Sequence, residues 1–258
     1  MRALVTGASS GLGRELALEL ASRGHDLLLV ARDEDRLAAT ASAATDLGVA
    51  AETLSVDLRE ADAVAAPVTA ALAERPVDLV LHAAGVLRLG SFDTLTDDDW
   101  RACFEVNVLA VARLQRVLTP RLAPRARIGI IASLAARVAF QEFAAYGASK
   151  WALRGLAGAL RLELAEHGHS VTLAHPSILR TPMVTSLEDT PRLYDVFPWH
   201  DARRAARRIV SAVERRRPEC HLGPVDWLGG KAHDLFPTLT ARGLDAWVAW
   251  RTRSDQQS

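Results

Sequence analysis

Thr6-Gly7-Ala8-Ser9-Ser10-Gly11-Leu12-Gly13 decides the fold. The preceding Ala3–Thr6 is apolar and strand-like, and the following Leu12–Arg23 has helical period. Glycines at a strand-to-helix turn let the backbone bend tightly and approach a ligand closely. The helix start then offers unpaired N–H groups and a positive dipole end, the combination that holds phosphates. The spacing is G-x-x-x-G-x-G, so the turn predicts a pyrophosphate-binding βα unit with Gly7, Ser9, Ser10, Gly11, Leu12 and Gly13 as its contacts.

The same alternation continues outward. Strand-like runs are expected at Asp26–Ala31, Glu52–Val56, Leu79–His82, Arg127–Ser133, Val171–His175 and Glu219–Leu222. Helices are expected at Glu34–Leu47, Ala61–Ala73, Asp97–Leu122, Ala144–His167 and Ala202–Arg215. The strands are continuously apolar, as strands covered on both faces must be. The expectation is an α/β fold, a single-domain Rossmann-like doubly wound parallel sheet of about seven strands with helices on both faces, over residues 1–258. Leu179–His200 carries three prolines and weak periodicity, and reads as a substrate loop with a short helix; residues 224–258 form a tryptophan-rich tail. Leu244, Trp247 and Val248 share a helical face there, suited to covering a pocket, then to a subunit contact, then to a membrane surface, in that order.

Composition excludes several functions. Acidic and basic residues balance at 31 each, which argues against nucleic acid as a partner. The arginines at 203, 204, 207 and 208 read as a solvated helix face. No signal peptide and no membrane span is evident, and Cys103 and Cys220 lack metal or disulfide spacing. The setting expected is cytoplasmic, with no metal.

Two motifs point to chemistry. After the second strand comes Ala31-Arg32-Asp33, where an acidic residue at the strand end would bind the ribose hydroxyls of NAD. Arg32 suits a 2′-phosphate instead, so NADP is favoured and NAD possible, with Asp33 tolerable only if it points away. Asp57, after the third strand, is suited to the adenine amino group or to capping a helix. Second, Tyr146 follows Ser133 by thirteen residues and precedes Lys150 by four, which puts phenol and ammonium on one helix face. An adjacent ammonium and an oxidised nicotinamide ring would both favour phenolate. A fall of about three pH units would amount to roughly 4 kcal/mol and bring the phenol near neutrality, where an acid/base works best. Only two of the 31 basic residues are Lys, so Lys150 stands where a compact ammonium is wanted.

These motifs, with VDL (Val56–Leu58), HAAG (His82–Gly85), NVLA (Asn107–Ala110), YGASK (Tyr146–Lys150) and PSILRT (Pro176–Thr181), make the chain resemble the classical short-chain dehydrogenase/reductase family over residues 1 to about 182. The resemblance implies a catalytic tetrad of Asn107, Ser133, Tyr146 and Lys150. Tyr146 would be the acid/base, Ser133 would position the carbonyl, Lys150 would tune the phenol and bind the nicotinamide ribose, and Asn107 would hold a relay water. It implies cofactor contacts from Leu58, Ala83, Ala84, Gly85, Pro176, Ile178 and Thr181, and a homodimer or homotetramer. Three positions depart from the family. His82-Ala83-Ala84-Gly85 replaces Asn-Asn-Ala-Gly and is similar to ketoreductase domains of polyketide synthases, with His82 expected to be structural. Pro176-Ser177 replaces Pro-Gly, and Gln141-Glu142 stands where Pro-Gly is common.

Leu87, Leu89, Ala135, Val138, Phe140, Phe143, Leu187, Phe197 and Trp199 suggest an apolar pocket. The function expected is NADP(H)-dependent hydride transfer to or from an apolar ketone, aldehyde or secondary alcohol. The alternatives are a non-catalytic NADP(H)-binding regulator and a sugar-nucleotide epimerase or dehydratase, the last needing a larger C-terminal domain than this chain has room for.

Overall fold

The computed structural model describes residues 1–187, 190–191, 194 and 198–255. Seven strands form one parallel sheet: β1 (Arg2–Thr6), β2 (Asp26–Ala31), β3 (Ala51–Ser55), β4 (Val77–His82), β5 (Leu122–Ile131), β6 (Ser170–His175) and β7 (Glu219–His221). Their spatial order is β3-β2-β1-β4-β5-β6-β7. The order reverses between β1 and β4, and the crevice beyond their C-terminal ends is where such sheets bind ligands.

The helices are α1 (Gly11–Ser22), α2 (Glu34–Thr45), α3 (Ala61–Ala71), α4 (Asp97–Phe104), α5 (Ala110–Leu118), α6 (Ala144–Ala165), α7 (Pro182–Thr185), α8 (Ala202–Glu214), α9 (Pro224–Leu235) and α10 (Pro237–Asp255). Strand side chains alternate between two cores. Val5, Leu27, Leu29, Leu79 and Leu81 pack with Leu16, Leu20, Ile209 and Val213 of α1 and α8. Leu4, Leu28, Val30, Val80 and Ile128 pack with Leu114, Leu118 and Leu153 of α5 and α6. Gly129 makes room for Leu81 and for Val213 of α8: a Cβ there would lie 2.5 Å from Leu81 Cδ2 and 2.9 Å from Val213 Cγ2.

Three boundaries differ from the sequence reading. The helix expected over Asp97–Leu122 is broken by a π turn at Glu105–Leu109 and ends in a 3₁₀ turn around Pro120. β5 starts at Leu122 rather than Arg127, because a register break opposite Val77 and Leu79 absorbs Pro124 and Arg125, the latter at φ +59°. The tail is two helices, each opened by a proline, a residue well suited to the first helical turn. The side chains of Leu244 and Val248, and all of Phe197, lie outside the described residues. The four arginines of α8 are exposed, with Arg203 4.0 Å from Glu15 and Arg207 3.9 Å from Glu19 of α1. No helix among the described residues is long and apolar enough to cross a membrane.

Candidate active site

The glycine turn builds one end of a cleft. Gly7 and Gly11 adopt φ of +68° and +52°, where L side chains are strained. A Cβ on Gly13 would lie 2.1 Å from the Gly7 carbonyl oxygen, and one on Gly7 would lie 2.8 Å from Ala84 Cα. Thr6 Oγ1 accepts hydrogen bonds from the N–H groups of Ala83 and Ala84, both at 3.0 Å, and locks the turn to the end of β4. Ser10 makes no side-chain cap, so no side chain of its own takes up the first N–H groups of α1. This cradle fits a dinucleotide pyrophosphate.

Arg32 lies at the cleft's rim with its side chain mostly exposed, 3.8 Å from Asp57. Asp33 points away: its carboxylate accepts from Arg36 N at 3.0 Å and caps α2. Asp57 lines the cleft, but both its oxygens are engaged by Arg59 at 2.6–3.1 Å, and that pairing holds its carboxyl below the usual range. Arg59 was not singled out from the sequence, and it competes with any adenine contact by Asp57.

The other end of the cleft holds Ser133, Tyr146 and Lys150. Ser133 lies two residues beyond β5. Its Oγ accepts from Ala135 N at 3.1 Å, and its hydroxyl is hydrogen-bonded with Tyr146. Lys150 is buried; its Nζ donates to the Ile131 carbonyl at 3.1 Å and lies 5.5 Å from the centre of the Tyr146 ring. Burial pulls its ammonium down to about 8. Burial pushes the Tyr146 phenol above its ordinary value, and a hydrogen bond with Ser133 offsets part of this.

Asn107 is wholly buried in the π turn, behind the cleft wall. Its Oδ1 accepts from Val86 N at 2.9 Å, and its Nδ2 donates to Val86 O at 3.1 Å and to Ser149 Oγ at 2.9 Å. Both amide hydrogens are therefore used in fixing α6 and the Gly85-Val86 segment. A Cβ on Gly85 would lie 3.2 Å from Asn107 Oδ1 and 3.5 Å from Lys150 Nζ, so the three groups meet at one point. The cleft is further lined by Leu58, Ala83, Ala84, Pro176, Ile178 and Thr181.

Leu87, Ala135, Phe140 and Phe143 form an apolar wall beside Tyr146. Leu89, Leu187 and Trp199 pack against that wall without lining the cleft, whereas Val138 is buried away from it. Sequence reasoning missed Val184 and Tyr194, which both line the cleft. The Tyr194 ring packs edge-on to Phe143 at 6.1 Å, its carbonyl accepts from Trp199 Nε1 at 3.0 Å, and burial raises its phenol to about 12. His82 is a satisfied core residue, its Nε2 3.0 Å from Gln115 Oε1. Glu142 takes φ +67°, the glycine role of the absent Pro-Gly pair, and its carbonyl accepts from Gly90 N at 3.0 Å.

The family model for short chain dehydrogenases matches residues 1–192. The chain belongs to the short-chain dehydrogenase/reductase family. It is 33% identical to a 2,3-dihydro-2,3-dihydroxybenzoate dehydrogenase of Bacillus subtilis (strain 168), over 82% of this chain and 78% of the relative. Among solved structures, it matches a short-chain dehydrogenase/reductase of Burkholderia phymatum in complex with NAD at a TM-score of 0.83 and 26% identity, over 92% of this chain and 94% of the other. It matches a short chain dehydrogenase of Burkholderia cenocepacia J2315 in complex with NADP at a TM-score of 0.77 and 31% identity, over 85% and 94%. Membership makes the chain an oxidoreductase fold with a nicotinamide cofactor, and the doubly wound parallel sheet agrees with that.

Proposed function

We propose that this short-chain dehydrogenase/reductase uses NADP(H) to reduce an apolar ketone or aldehyde, or to oxidise the corresponding secondary alcohol, with Tyr146 as acid/base. The observation that carries the reading is one continuous cleft, with the glycine turn at one end and Ser133, Tyr146 and Lys150 beside an aromatic wall at the other.

The cofactor supplies the hydride and the positive nicotinamide charge when oxidised. The chain supplies the rest. Gly7, Gly11, Gly13 and the start of α1 receive the pyrophosphate. Arg32 pairs with the 2′-phosphate, and the outward turn of Asp33 removes the carboxylate that would repel it. Lys150 binds the nicotinamide ribose, and Pro176, Ile178 and Thr181 flank the carboxamide. The Ser133 hydroxyl, held by Ala135 N–H, donates to the substrate oxygen. Tyr146 gives that oxygen its proton in reduction and takes one from the alcohol in oxidation. Leu87, Phe140, Phe143 and Tyr194 keep water from the reacting carbon and favour apolar substituents. Asn107 braces α6 against the Gly85-Val86 segment. Residues 1–258 act as one domain within a homodimer or homotetramer.

NADPH and NADH oxidation against a panel of ketones and aldehydes tests the reading. Apolar carbonyls should consume NADPH faster than NADH, and Tyr146→Phe should bind NADPH but lose about 10²–10⁴-fold in turnover. Binding without turnover across the panel would favour a regulator, and turnover confined to charged sugars or acids would refute the apolar pocket.

A further inference from the structure

Arg137 is wholly buried, in a chain whose other basic residues mostly face solvent. It directly follows the 3₁₀ turn Leu134–Ala136, four residues after Ser133. Its Nη1 donates to Glu219 Oε2 of β7 at 2.8 Å, and its Nη2 donates to Asp234 of α9. Asp234 also accepts from Arg154 Nη1 at 3.0 Å, and Arg154 lies four residues after Lys150 on α6. One carboxylate of the tail thus ties the Ser133 segment to the helix that carries Tyr146 and Lys150.

The Ser133 segment is gripped from a second side. His175 Nδ1 lies 3.2 Å from the Ser133 carbonyl oxygen. The His175 ring stacks on His221 with centres 4.9 Å apart and planes 8° apart, and His221 Nε2 is 3.3 Å from both Glu219 Oε2 and Arg137 Nη1. Helix α9 also reaches the cleft through Asp226, which accepts from Ser177 Oγ at 3.3 Å.

His175, Glu219 and His221 present ligand atoms within 4.8 Å of one another, as in a metal site. The buried guanidinium argues against one. Arg137 already contacts the carboxylate and His221, and with Arg154 it balances Glu219 and Asp234. A dication would sit beside a buried like charge.

The decisive detail is in α9. A Cβ on Gly230 would lie 2.9 Å from Arg137 Nε and 3.1 Å from its Cδ, whereas one on Gly229 would meet nothing within 4 Å. Glycine inside a helix is unfavourable, and at 230 it makes the room through which the arginine passes.

We propose that Arg137, clamped by Glu219 and Asp234 across Gly230, is a positioning residue that sets the Ser133 hydroxyl relative to Tyr146, and that α9 is thereby part of the active-site frame. The inference rests on the reading of Ser133 as the group that orients the substrate oxygen. Arg137 N donates to Leu134 O at 2.9 Å and Leu134 N to Pro176 O at 2.8 Å, so displacing the guanidinium pulls on the same turn whose Ala135 N–H fixes Ser133 Oγ.

The test compares Asp234→Asn and Gly230→Ala with Gly229→Ala and Ser133→Ala. It measures kcat and KM on the best carbonyl of the panel, NADPH affinity by fluorescence, and hydrogen exchange over residues 131–140, which needs no substrate. Asp234→Asn and Gly230→Ala should each lower kcat about tenfold, keep NADPH affinity within twofold and speed exchange at residues 134–138 about tenfold. Gly229→Ala should match wild type in all three. Wild-type kcat and exchange in both Asp234→Asn and Gly230→Ala, with Ser133→Ala inactive, would overturn the positioning role and leave the Ser133 reading standing. A lowered Tm with unchanged kcat would make the cluster merely structural and overturn it too. An active Ser133→Ala would remove the reading on which the inference rests.

Discussion

Replacing His82 with glutamine should flatten the acid side of the stability curve. His82 closes β4 and is fully buried. Its Nε2 faces Gln115 Oε1 at 3.0 Å, and Gln115 Nε2 donates to Thr119 Oγ1 at 3.2 Å, which turns the amide oxygen toward the ring. Burial therefore opposes imidazolium, and the pKa is drawn from 6.5 to about 4, the Gln115 bond resisting only in part. Between those values the unfolded chain binds more protons than the folded one, so the contribution is complete above pH 6.5 and is lost as pH falls toward 4. The loss works out at about 2 kcal/mol by pH 5 and about 3 kcal/mol by pH 4. Against a total of about 5–15 kcal/mol that is a large share. Urea unfolding of wild type and His82→Gln at pH 7.5, 6.0 and 5.0 measures it. The wild type's advantage at pH 7.5 should shrink by about 2 kcal/mol at pH 5.0. His175, drawn to about 4 by burial, is common to both proteins and cancels; Glu219, held near 2 chiefly by its bond to His221, acts at lower pH. An advantage equal at all three pH values would show that the ring is not held neutral by burial, and the reasoning would fail.

Arg32→Ala should weaken NADPH about 10–100-fold, the worth of a charged hydrogen bond to phosphate, and leave NADH unchanged; the loss should shrink in high salt, and equal losses for both would refute the 2′-phosphate contact. Gly13→Ala should abolish binding of both dinucleotides and lower Tm, because its Cβ would lie 2.1 Å from the Gly7 oxygen; titration calorimetry and thermal melts check this, and retained binding would show that the turn can open. Reductive turnover should fall as pH rises past about 8, where Lys150 loses its proton; a rate profile level to pH 10 would separate Lys150 from the proton path.

The sheet was legible because both of its faces are covered. Leu27–Ala31 and Leu79–Leu81 are apolar without interruption, since alternate residues enter different cores, and such runs can be read without knowing the partner strands. The errors fall where non-local pairing overrides local pattern. Residues 97–118 keep helical period through the π turn, because one widened turn does not change which residues are apolar. The first residues of β5 contain Pro124 and an arginine at positive φ, which no strand pattern predicts, and they are recruited only by pairing of Leu122 with Val77. Two adjacent glycines hid α9; one of them answers to a side chain about 90 residues away, a separation no local window spans.

The site divides along the same line. The glycine turn and the Tyr146–Lys150 spacing are local geometry: a turn needs its glycines, and a helix face needs its i, i+4 pair, wherever they stand. What burial does to those groups is not local. Spacing alone puts an ammonium near the phenol, whereas the burial that opposes the phenolate is set by the surrounding fold. Arg137 makes the point more sharply. Twenty-nine arginines look alike in this sequence, and nothing adjacent to Arg137 marks it as wholly buried. Its burial requires Glu219, Asp234 and Gly230 to converge on it, and each of the three taken alone is ordinary: a strand acid, a helix acid and one of two adjacent glycines. Only their convergence distinguishes a surface cation from a brace. This brace is therefore hard to see in the sequence, because it depends on contacts between the Ser133 turn and the tail beyond residue 224.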